Sequence, residues 1–93
     1  MGERIKVLNE TKYKKLTSNM KITEHEQFFD GYVMYTYIEA KKDNETFWFI
    51  KLKSPIKTIY LMVQEYHIKM LNEIRQRNIE DFAMTLYPFF REV

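Results

Sequence analysis

Ser54-Pro55-Ile56-Lys57-Thr58-Ile59-Tyr60-Leu61-Met62-Val63-Gln64-Glu65-Tyr66-His67-Ile68-Lys69-Met70-Leu71-Asn72-Glu73-Ile74-Arg75-Gln76-Arg77 is the stretch whose reading decides the fold. Its first two residues form a helix-start signal, with Ser as N-cap and Pro at the first helical position, where its missing N–H costs nothing. At about 100° per residue, Ile56, Ile59, Tyr60, Val63, Tyr66, His67, Met70, Leu71 and Ile74 share one broad arc. The spacing predicts one helix from Pro55 to Arg77, roughly 35 Å long, with its apolar arc against a sheet. Leu61 and Ile68 fall about 120–140° from Ile56, outside the arc, beside Lys57, Gln64, Asn72 and Arg75. They call for a second partner, and a two-fold homodimer through Leu61 and Ile68 is the expected solution for a small chain with surplus apolar surface.

Upstream, Tyr32 to Ala40 and Thr46 to Lys53 are rich in aromatic and branched residues and read as strands joined by a polar hairpin loop, Lys41 to Glu45. Met20 to Phe29 reads as an alternating strand turning at Asp30-Gly31, in preference to a short helix begun by the capping box Thr23-x-x-Glu26. Arg4 to Leu8 is a short β-prone segment, and Thr11 to Leu16 suits one or two helical turns capped by Thr11. Downstream, Asn78 caps a second helix with Glu80 and Asp81 in its positive first turn and Ile79, Phe82, Ala83 and Leu86 along one side. Pro88 is expected to stop it. Phe89, Phe90 and Val93 then form an apolar tail, with at least one of Phe89 and Phe90 docked between the long helix and the sheet and the other available to a partner. The expected fold is α+β: a three-stranded antiparallel meander packed on a long helix, with a second C-terminal helix.

At 93 residues, 45% hydrophobic and 30% charged, the chain is a single globular domain, residues 1–93, too apolar to be disordered. A net charge of +2 is far below that of a dedicated polyanion binder, whereas 16% aromatic is high. Zero Cys excludes disulfides, a thiolate nucleophile and a Cys-based zinc site. No apolar run follows Met1-Gly2-Glu3-Arg4-Ile5-Lys6, and no stretch approaches the roughly 18 uncharged residues of a membrane span. A soluble, cytoplasmic protein is expected.

Catalytic inventory is thin. His67 falls inside the apolar arc, where a packed, hydrogen-bonded core histidine is the better reading. His25 stands between Glu24 and Glu26, but neighbouring strand residues point to opposite faces, so the trio does not converge on a metal. Ser54 has a sufficient role as a cap, Ser18 has no base beside it in sequence, and two glycines cannot build a phosphate loop. No enzyme activity, cofactor or metal is expected.

The hairpin carries the functional interest. If Ala40 opposes Thr46, then Met34, Thr36 and Ile38 share a face with Trp48, Ile50 and Leu52. The other face then holds Tyr35, Tyr37, Phe47, Phe49, Lys51 and Lys53, with Glu24 and Glu26 if the first strand pairs alongside. A one-residue shift exchanges these partners and still leaves aromatics on both faces. The second face is either core under another element, a protein interface, or a platform on which aromatics stack bases while lysines meet phosphates. Tyr35, Tyr37, Phe49, Lys51 and Lys53 are therefore the candidate partner-binding residues. The expected function is a small binding protein, a regulator or inhibitor acting through protein–protein contacts, with a nucleic-acid-binding module as the alternative. The low net charge and the interleaved Glu24 and Glu26 count against nucleic acid.

The order helix, three strands, helix is that of a double-stranded-RNA-binding domain. Pro55-Ile56-Lys57-Thr58, however, offers one lysine where such domains place a cluster, and no family follows. A composition rich in Lys, Ile, Tyr and Asn suits a phage or plasmid accessory protein.

Overall fold

The computed structural model describes residues 5–91. Their order is β1 (Lys6–Asn9), α1 (Glu10–Leu16), β2 (Lys21–Phe29), β3 (Met34–Lys42), β4 (Glu45–Lys53), β5 (Thr58–Val63), α2 (Glu65–Arg77) and α3 (Ile79–Arg91). The fold is α+β as expected, but the meander is part of a five-stranded antiparallel sheet of order β1-β5-β4-β3-β2. β1 and β2 are thus opposite edges, and α1 lies between them in the chain. We call the face under α2 and α3 inner and the face under α1 outer.

The largest departure lies in the stretch from Ser54 to Arg77, which is a strand followed by a helix. Ile59, Leu61 and Val63 point inward while Tyr60 and Met62 join the outer cluster, a period-2 alternation with both sides apolar. A strand buried on both faces loses its polar stripe, so its apolar residues also satisfy helical spacing. The β-branched Thr58, Ile59 and Val63 together with Tyr60 favour the pleated form. Ser54 does cap, but it caps a turn. Its Oγ accepts from the Ile56 and Lys57 N–H groups at 3.3 and 3.2 Å, while its N–H donates to the Lys57 carbonyl at 2.9 Å.

This change dissolves the Leu61/Ile68 stripe. Leu61 is fully buried on β5 and Ile68, on α2, is half-buried against the same core.

The hairpin register also differs by one residue. Its turn is the two-residue Asp43-Asn44, with Asp43 in the left-handed region at φ 55°, which pairs Lys42 with Glu45 and sets Ala40 opposite Phe47. A short turn of this kind matches the twist of the strands it joins better than the five-residue loop expected from composition.

The helical ends show two further differences. α1 is capped by Asn9, two residues before the expected Thr11, and the Asn9 Oδ1 accepts from the Lys12 N–H at 2.8 Å. α3 runs through Pro88 to Arg91. Proline withholds a hydrogen bond from the carbonyl of Met84, but Met84 is among the most exposed residues, so water can replace the donor. The last turn is held by Phe90, buried in the inner core, and by Phe89, packed at its margin. Asn78 caps α3 as expected, its Oδ1 accepting from the Glu80 N–H at 2.8 Å. Arg4 and Val93, assigned above to the first strand and the tail, lie outside the described residues. Among the described residues no helix is long and apolar enough to cross a membrane.

Candidate functional site

Each strand pair aligns its outward residues into transverse rows. On the outer face these run Ile22–Ala40–Phe47, then Glu24–Ile38–Phe49–Met62, then Gln27–Thr36–Lys51–Tyr60, then Phe29–Met34–Lys53–Thr58. With only seven residues, α1 covers one end of this face. Tyr13 of α1 stacks on Tyr60 at 3.7 Å between ring centroids and meets Phe49 edge-on at 5.2 Å. Ile38, Ala40, Phe49 and Tyr60 are buried there with it, and burial pushes the Tyr60 hydroxyl up to about 12.

The other end of the outer face is open. A depression of about 520 Å³ lies over it, lined by Gln27, Phe29, Gly31, Tyr32, Met34, Thr36, Lys51, Lys53, Ser54 and Pro55. Phe29 is 60% exposed and Tyr32 46%, and the two line the same depression. Among the described residues the lining holds two lysines and no carboxylate. Lys51 lies 6.0 Å from the Tyr60 ring, and Gln27 donates to the buried Thr36 Oγ1 at 3.3 Å. Glu24, in the next row, ends the cationic stretch.

The β2–β3 turn beside this depression is anchored from the inner side. Asp30 accepts the N–H groups of Tyr32 and Val33 at 2.9 and 2.8 Å, and the hydroxyls of Tyr35 and Tyr87 at 2.6 and 3.0 Å. Burial acts to raise the Asp30 pKa, but these four donors outweigh it and hold the carboxyl below its ordinary 3.8. Burial and the Asp30 carboxylate together push the Tyr35 hydroxyl far above its ordinary value. Gly31, at φ +101°, takes the conformation that L side chains rarely adopt. The turn that presents Phe29 and Tyr32 is therefore fixed to α3 through Tyr87.

The five residues named from sequence do not form one face. Tyr35 and Tyr37 point into the inner core, where Tyr35 meets Phe82 edge-on at 4.9 Å. Burial pushes the Tyr37 hydroxyl up to about 12 against the opposing effect of Arg75, whose guanidinium stacks 3.8 Å from the centre of the Phe28 ring. Phe49 is buried under α1. Only Lys51 and Lys53 reach the open surface. The one-residue register shift is the cause, since it exchanges which residues of β3 share a side with which residues of β4. Phe29, Tyr32, Met34 and Gln27 were not singled out from sequence. The adjacent pair Phe28-Phe29 before Asp30-Gly31 was the available signal, because neighbours in a strand must face opposite ways.

The two histidines sit elsewhere. His67 is buried at the start of α2, its Nδ1 accepting the Gln64 N–H at 2.9 Å. His25 Nε2 lies 2.8 Å from Glu39 Oε1 with Lys41 at 3.5 Å from the same carboxylate, and this pairing with His25 holds Glu39 below the usual carboxylate range. Among the described residues no group of three or more His, Asp or Glu converges as metal ligands would. Compared with known proteins, the chain matches no family model, no curated protein and no solved structure.

Proposed function

We propose that this chain is a non-catalytic binding domain whose macromolecular partner lies on the open end of the outer sheet face and presents anionic groups beside apolar or flat ones. The observation that carries the reading is the composition of the depression there: Lys51 and Lys53 on one side, exposed Phe29, Tyr32 and Met34 on the other, and no carboxylate between. Exposing large side chains to water is unfavourable, so an exposed aromatic group on a rigid sheet is best understood as surface reserved for contact. The surroundings support this. Phe29 and Met34 face each other across β2 and β3, and Tyr32 is held by the Asp30 turn, so little ordering cost remains to be met on binding.

Isothermal titration with two anionic probes tests the proposal: a single-stranded oligothymidylate and a peptide alternating Asp with aromatic residues. At least one should bind, and the Lys51→Gln/Lys53→Gln chain should bind it at least tenfold more weakly while melting at the wild-type temperature. If neither probe binds, or the double variant binds as wild type does, this face is not the site.

A further inference from the structure

Along both open rows the chemistry changes in the same direction. Phe29 or Gln27 stands on β2, Met34 or Thr36 on β3, and a lysine on β4. Lys51 and Lys53 are two residues apart on one strand, about 6.6 Å along it, which matches the interval between successive phosphates of an extended single strand. From β4 to β2 is two strand spacings, roughly 9.6 Å, a span that one nucleotide and a lysine side chain cover from phosphate to base.

We infer that the open outer face holds a single-stranded nucleic acid, with its phosphates along β4 and its bases laid across β3 toward β2. One base rests on Phe29 and Met34 and its neighbour lies over Gln27. This assignment rests on the binding-domain reading above and names its partner class. Gln27 spends its amide N–H on Thr36, which leaves its carbonyl oxygen to accept from a base N–H such as that of thymine or uracil. Tyr32 also lines a second depression, of about 360 Å³, with Ile56, Tyr87, Phe90 and Arg91.

Physical arguments separate this occupant from its competitors. An extended peptide lying flat on a sheet face finds no partner for its N–H and C=O groups, because the backbone groups of the sheet point within its own plane. A nucleic acid strand carries its obligatory polar groups as phosphates, which the lysines meet, and its bases offer ring faces to Phe29 and Tyr32. A duplex keeps those ring faces stacked inside.

Fluorescence anisotropy of short labelled oligothymidylate and oligouridylate strands over a salt series, with wild type and surface variants, is the test. Phe29→Ala should weaken binding by roughly five- to 150-fold without changing the salt slope. Phe29→Leu, which keeps apolar bulk but removes the ring, should weaken it in the same direction. Lys51→Gln/Lys53→Gln should reduce the slope of log K against log salt by about 1.4, from two contacts at about 0.7 each. An unlabelled duplex should compete poorly. Binding by either strand with these dependences supports the assignment, and the pair of strands tells whether the 2′-hydroxyl is used. Failure of both strands to bind at low salt, wild-type affinity in all three variants, or equal competition by duplex overturns it. If the acidic aromatic peptide binds this face and the oligonucleotides do not, the nucleic acid assignment falls while the binding-domain reading stands. If neither binds, both fall.

Discussion

The two ends of the outer face belong to the same three strands, yet one is core and the other surface. At the covered end, Phe49 is wholly buried between Ile38 and Met62 beneath Tyr13. At the open end, Phe29 stands two rows away with 60% of its surface in water. The same residue type on the same pleated face has opposite roles, and the length of α1 decides between them. A seven-residue helix spans about 10 Å, roughly a third of the length of a nine-residue strand. The lesson is that an aromatic in an alternating strand is not core or contact by its own nature. What lies over its row determines which.

The sharpest way to break this comparison is to truncate a ring at each end. Phe49→Ala should cost roughly 3 to 5 kcal/mol of unfolding free energy, whereas Phe29→Ala should stay within about 0.5 kcal/mol. Urea unfolding of both measures the contrast, and equal losses would mean that the open end is packed after all. Next in size is Tyr13→Ala. It removes the stacked and edge-on contacts that fasten α1, and should cost about 2 to 4 kcal/mol from lost burial and aromatic pairing.

A smaller effect sits at the turn that presents the open end. Asp30→Ala leaves the Tyr35 hydroxyl buried without its acceptor, at a cost of about 1 to 3 kcal/mol. It should also loosen Tyr32, readable as faster amide exchange at Tyr32 and Val33. The smallest effect is a pH dependence at the same residue. Because the folded Asp30 carboxyl lies below its ordinary 3.8, its stabilisation is present above that value and is lost as pH falls through the lowered folded pKa. Melting temperatures of wild type and Asp30→Asn should therefore converge as pH falls below about 4. A constant gap between them down to pH 2 would show that the charge of Asp30 contributes nothing.

Much of the fold was legible because β3 and β4 are rich in aromatic and branched residues on either side of a polar turn. β5 was hidden behind the helix-start signal of Ser54-Pro55. With both faces covered, Ile59, Tyr60, Leu61, Met62 and Val63 carry no polar alternation, and a continuous apolar run fits either period. The register could not be read from composition, since it depends on Asp43 adopting positive φ in a two-residue turn. That single residue moved Tyr35 and Tyr37 from the proposed contact face into the core. Pro88 misled because a proline at the exposed side of a last turn strands only one carbonyl. Within the site, Lys51 and Lys53 were found because outward lysines on a strand have no structural role to explain them away. Phe29 and Met34 were missed because their pairing across Asp30-Gly31 emerges only when β2 is placed beside β3.

Amide chemical-shift mapping with a short oligothymidylate tests the central claim most directly, since it reports where the partner lies as well as whether it binds. The account predicts progressive shifts at Gln27, Phe29, Tyr32, Met34, Lys51 and Lys53, with little change at Phe47, Phe49 or the exposed Tyr66 and Met84 of the helical layer. Shifts concentrated on α2 and α3, or none at saturating oligonucleotide and low salt, would contradict it.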